Sequence, residues 1–149
     1  MALYKTHIKF NIFFLPLILI GILFFFKVSI LHLIVFSLAF LYSTLFMNPD
    51  LDVANQIKLF SIRGMFTLPF RFYSVFFRHR GLSHNVLLGS ITRILWLIGF
   101  LYLIFYFIDK PIINKKSLVK LLKNSYFIYG MFGIILADFC HLILDYKKK

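Results

Sequence analysis

Glutamate is absent from this sequence, and the only acids are five aspartates: Asp50, Asp52, Asp109, Asp138 and Asp145. A helix-forming chain that needed acids only for solubility would use glutamate and scatter it. Here four of the five fall in two short segments at the ends of apolar runs, which points to carboxylates kept for chemistry. Cysteine is nearly absent as well. The single Cys140 excludes an internal disulfide, leaves the redox compartment open and reads as a small packed residue. Without further thiolates a closed structural zinc site is disfavoured. Charge is scarce: 15% of residues are charged, against about 25% in soluble domains.

What is present is apolar. The 149 residues are 61% hydrophobic and 20% aromatic, and the mean hydropathy is +0.89. The length is that of one domain, 1–149. The apolar residues come in long runs, which argues for membrane spans over a globular core. The runs lie at about 10–26, 28–47, 86–108 and 125–144. The first two are separated by Lys27 and Ser29, and together they suit two helices rather than one. A signal peptide fits poorly, because no small-residue cleavage site follows the first run. Residues 53–77 differ, with Lys58, Arg63 and Arg71 alternating with phenylalanines, as suits an amphipathic segment in the headgroup layer. The expected fold is all-α: a polytopic membrane protein of about four transmembrane helices plus this interfacial segment. Residues 109–124 read as a basic loop.

The formal net charge is +12. Basic residues flanking spans orient helices and meet anionic lipid, so membrane lipid is the expected partner and nucleic acid is not. More basic residues fall on the side of the chain described next than on the other, which puts that side in the cytoplasm.

Four alternating spans bring four helix ends to one membrane face. These are the start of the first (His7), the end of the second (Asp50, Asp52), the start of the third (His79, His84) and the end of the fourth (Asp138, His141, Asp145). Asp138, His141 and Asp145 stand at i, i+3 and i+7, on one helical face. Imidazole and carboxylate donors together suit a divalent ion such as Zn, Mn or Fe, and their number allows one ion or two. Blander readings exist. Asp50 or Asp52 can pair with Arg78 or Arg80, and Asp109 can be a loop residue or cap. His32 reads as a satisfied interfacial residue, and Arg93 either faces the site or reaches the surface.

The organising stretch is Arg78-His79-Arg80-Gly81-Leu82-Ser83-His84-Asn85, two histidines across a basic turn where the third run begins, with Ser83 placed to cap it. With Thr6-His7, Asn48-Pro49-Asp50-Leu51-Asp52, Gly89, Arg93 and Asp138-x-x-His141-x-x-x-Asp145, it resembles a family of small bacterial membrane proteins described as uncharacterised metal-binding proteins. More distantly it resembles the YdjM-like membrane-bound metal-dependent hydrolases. The sequence departs from the first family's pattern at Ile8 and Lys9, where an acid commonly follows the first histidine, and at Asn48, which replaces a small residue. The resemblance implies metal binding more strongly than hydrolysis. It also implies a bacterial inner-membrane location.

The leading expectation is a metal-dependent hydrolase acting at the membrane surface on a phosphoester or lipid-linked substrate. His7, Asp50, Asp52, His79, His84, Asp138, His141 and Asp145 are the candidate ligands. Asp52, His84, His141 and Asp145 are the first choice to touch the ion, with Asp50, His79 and Asp138 as ligands of a second ion, as general base or as supports of the ligands. Arg80, with Arg78 and Arg93, would hold an anionic substrate. The alternatives are a non-catalytic metal site that stabilises the bundle or serves an assembly partner, and a metal-ion transporter, whose site would normally lie near the midplane.

Overall fold

The computed structural model describes residues 4–47, 58, 60–76, 86–109 and 115–146. Seven helices account for most of them: α1 (Tyr4–Phe25), α2 (Ile30–Phe46), α3 (Ile62–Phe66), α4 (Pro69–Phe76), α5 (Val86–Asp109), α6 (Lys115–Leu122) and α7 (Ser125–Tyr146). There is no strand among the described residues. The fold is all-α, as the apolar runs imply.

Stretches within α1, α5 and α7 (Lys5–Phe25, Leu88–Ile108 and Ser125–Tyr146) are long and apolar enough to cross a membrane. The 17 residues of α2 are equally apolar. At about 1.5 Å per residue they reach roughly 26 Å, a few ångströms short of a hydrocarbon core of about 30 Å, a mismatch that costs little. Phenylalanines, leucines and isoleucines stand exposed along these helices, Phe24, Phe25, Phe107 and Ile108 among them. Exposed apolar surface on this scale fits hydrocarbon rather than water as the surrounding medium.

Local sequence sets the boundaries. The turn at Lys27–Ser29 ends α1, and Ser29 is the N-cap residue of α2. Its hydroxyl bonds His32 Nδ1 instead of capping the helix. Pro69 opens α4, where a missing N–H costs nothing. Asn124 caps α7, its Oδ1 accepting the backbone N–H of Tyr126 at 2.9 Å. The expected basic loop at 109–124 contains a two-turn helix, α6, because Val119, Leu121 and Leu122 alternate with lysines at helical spacing. The expected interfacial segment contains α3 and α4.

At the centre, α2 and α7 run parallel, although most of the chain separates them. His32 meets Ser125, Ala39 lies beside Gly130 and Gly133, and Ser43 bonds Asp138, so both advance in the same direction. Gly133 makes this possible. A Cβ there would stand 2.5 Å from the Phe36 carbonyl oxygen and 3.1 Å from the Phe40 nitrogen. Small residues let apolar helices approach closely, where dispersion and interhelical bonds replace the hydrophobic effect as the force between them. Antiparallel to this pair, α1 packs on one side through Phe10, Phe14, Ile18 and Ile22 against Phe36, Phe40 and Ala137. On the other, α5 contributes Ile94, Leu97 and Ile98 to a cluster with Met47, Phe70, Tyr73, Met131 and Ile134. The short α4 is pinned to α5 by Trp96 Nε1, which donates to the Pro69 carbonyl at 2.8 Å.

This arrangement gathers the start of α1, the end of α2, the start of α5 and the end of α7 at one end of the bundle.

Candidate metal centre

At that end the second turn of α1 faces the last two turns of α7. His7 and His141 stack with ring centroids 3.7 Å apart and planes 12° from parallel. Asp145 closes the group: its Oδ1 lies 3.2 Å from His7 Nε2 and its Oδ2 lies 3.7 Å from His141 Nε2. Both histidines are buried, whereas the Asp145 side chain keeps 18% of its exposure. The cluster therefore opens outward through its carboxylate. Each residue offers a donor atom, and the three donors lie within 4.8 Å of one another.

The donor set fits a divalent ion. Bond lengths near 2 Å place donors on one ion about 3–4 Å apart, so small rotamer shifts would bring the three into bonding range. Two neutral imidazoles and one carboxylate are the set used by zinc hydrolases and by non-haem iron sites with open positions.

One turn deeper lies a second polar group of different character. Asp138 accepts from Ser43 at 2.9 Å through Oδ1, and from Ser90 and from Arg93 (2.7 Å) through Oδ2. Arg93 also donates through Nε to the Gly89 carbonyl and through Nη1 to the Met47 carbonyl. Both charges are buried. Asp138, expected among the ligands, thus stands apart from the cluster, its carboxylate taken up by donors from α2 and α5. Arg93 faces inward, as one of its two expected orientations required, but it meets a carboxylate of its own chain.

Of the other expected residues, Asp50, Asp52, His79, Arg80 and His84 lie outside the described residues. His32 sits at the far end of the bundle, with Nδ1 2.6 Å from Ser29 Oγ and Nε2 3.0 Å from Ser125 Oγ, and it stacks on Tyr126. Cys140 is buried in the α1–α2–α7 cluster. The sequence reading overlooked Asn11, Thr44, Ser43 and Ser90. Asn11 was the one polar residue of its run, four residues after His7, and that spacing was the available signal.

A helical bundle with apolar, membrane-compatible helices and a His/Asp donor cluster at one end fits the class of membrane metal-binding proteins. The chain belongs to the DUF2227 family, described as uncharacterized metal-binding protein, and the match runs over residues 2–149. A relative in Aquifex aeolicus (strain VF5), itself described as an uncharacterized protein, is 29% identical over 123 residues, covering 74% of this chain and 86% of the relative. No solved structure matches.

Proposed function

We propose that this protein is a membrane-embedded, metal-dependent hydrolase that holds its ion through His7, His141 and Asp145 and acts on an anionic ester at the lipid surface. The observation that carries the reading is the convergence of two imidazoles and one carboxylate, drawn from opposite parts of the sequence, at the bundle end. Three protein donors with room for more is the pattern of catalytic rather than structural zinc. A bound ion would supply positive charge to polarise an ester and acidify water.

The chain's own residues take distinct roles in this reading. His141 and Asp145 present donors from α7, and His7 presents one from α1. Asp52 and His84 are proposed to add donors while a position stays open for water or substrate. Asp50 and His79 are proposed to serve a second ion or to accept a proton, and Arg80 to hold the substrate anion. Asp138 is assigned to Arg93 instead, and the pair anchors the helices that carry the donors. The site side is proposed to face the cytoplasm of a bacterial cell, on the basis of the charge asymmetry.

The donors also tie α1 to α7, which favours a second reading in which the ion is a non-catalytic clamp. A transport site would normally lie near the midplane, whereas this cluster stands at helix ends.

The test is metal content of detergent-purified wild type and of His7→Ala, His141→Ala and Asp145→Ala, followed by assay on aryl phosphodiesters and phospholipids. Bound ion lost in all three variants, with turnover lost in parallel, supports the hydrolase. Bound ion without turnover on either substrate class supports the clamp, and a wild type free of ion removes the site altogether.

A further inference from the structure

Asn11 uses only half of its amide. Its Nδ2 donates to Thr44 Oγ1 and to the Ala137 carbonyl oxygen, each at 3.0 Å. A carbonyl can only accept, so the Ala137 contact fixes which way the amide is turned. The remaining atom, Oδ1, is buried and receives no hydrogen bond from the described residues, and Asn11 as a whole is 1% exposed. Buried acceptors are almost always satisfied, so one that is not marks a place where a donor belongs.

The surroundings identify the donor. Asn11 is four residues beyond His7, on the same face of α1, where side chains reach each other. Its bond to Ala137 places it one turn below His141 on α7. His7 turns Nε2 toward Asp145 at 3.2 Å, and Nδ1 is the ring nitrogen nearer its own backbone. An imidazole that gives Nε2 to a metal carries its proton on Nδ1, and such protons are ordinarily received by a carboxylate, a carbonyl or water.

We propose that Asn11 is a positioning residue of the metal site: its Oδ1 accepts the Nδ1–H of His7 when Nε2 of His7 holds a divalent cation, fixing the tautomer and the ring orientation. The proposal rests on the metal site argued above. The plainer role, a staple between α1, α2 and α7 through Thr44 and Ala137, uses the Nδ2 side alone and leaves the acceptor unexplained.

The test is the affinity of the full-length chain in detergent for Zn(II) and Co(II), by competition with a chromophoric chelator, with folding of each variant checked by helicity. Asn11→Leu should lower affinity about 10–100-fold, the usual loss when such a partner of a ligating histidine is removed. The loss should vanish when His7 is already alanine, since Asn11 acts through that ring. Thr44→Val, which breaks the α2 arm of the staple but spares the acceptor, should bind as wild type does. The zinc-loaded protein should show an exchange-protected imidazole N–H proton by NMR that Asn11→Leu abolishes. If Asn11→Leu does not fold, Asn11→Asp decides, because it keeps the acceptor and should keep wild-type affinity; a tenfold loss there overturns the proposal. A wild type that binds neither ion, or binds as well without His7, removes the metal site itself. Binding that depends on His7 but is indifferent to Asn11→Leu, or falls equally with Thr44→Val, overturns the role of Asn11 alone.

Discussion

Arg93 and Asp138 meet at 2.7 Å with both charges buried, joining α5 to α7 inside a bundle whose exterior is apolar. Taking two charges out of water is expensive, and mutual attraction offsets that cost only when the remaining donors and acceptors are satisfied. Here Ser43, Ser90 and the carbonyls of Met47 and Gly89 satisfy them.

Removing one partner should therefore be worse than removing both. Arg93→Met or Asp138→Leu alone leaves an uncompensated buried charge and should destabilise by about 3–5 kcal/mol. The double variant should recover most of that loss. Unfolding in mixed micelles by a double-mutant cycle measures it, and additive single effects would contradict the pairing.

Gly133 and Gly130 should respond in opposite ways to the same methyl group. At Gly133 the added carbon meets backbone of α2 at 2.5 Å, and α2 cannot give way without losing Ser43 from Asp138. Gly133→Ala should cost about 1–3 kcal/mol, the usual penalty for overpacking. At Gly130 the nearest atoms, on Val35 and Ala39, are 3.8 and 3.9 Å away, so Gly130→Ala should be neutral or slightly stabilising. Comparing their unfolding midpoints in one detergent separates the two.

Metal should stabilise the fold and chelation should reverse it. An ion that binds the folded chain at about 100 times its dissociation constant adds about 2.7 kcal/mol. Melting of wild type should fall with chelator and return with zinc. Asp145→Ala should melt at the chelated value whether or not zinc is present.

His32 should be silent in every metal measurement. It belongs to the opposite end of the bundle, where its two ring nitrogens bond Ser29 and Ser125. His32→Ala should keep wild-type zinc affinity and lose about 1–2 kcal/mol of stability, from two hydrogen bonds each worth about 1 kcal/mol. A loss of zinc would show that the two ends are coupled.

The long apolar runs made the helices legible, since nothing else in a sequence of this length accounts for them. The turn at Lys27–Ser29 and the ends of α5 and α7 fell close to where the runs break. Counting spans was enough to bring His7 to His141 and Asp145. Depth was harder to read. Asp138, His141 and Asp145 share a face, but Asp138 lies seven residues before Asp145, about 10 Å along the axis at about 1.5 Å per residue. Spacing says which way a side chain points around a helix. It does not say which neighbour is waiting at that level, so Asp138 was grouped with the donors and Arg93 was given to a substrate anion. Asn11 escaped notice for the same reason, because its partners come from two other helices. The parallel seam of α2 and α7 was also invisible, because glycine in an apolar run carries no chemical flag.

That seam sets an order of assembly. During synthesis α2 emerges early, yet the helix that fits against it through Gly133 is the furthest along the described chain. Until α7 is inserted, α2 lacks its main packing partner, Ser43 lacks its carboxylate, and His7 lacks the two residues it faces across the bundle end. A partly made chain cannot bring His7, His141 and Asp145 together, so the cluster exists only in protein whose α1 and α7 have both been made and packed.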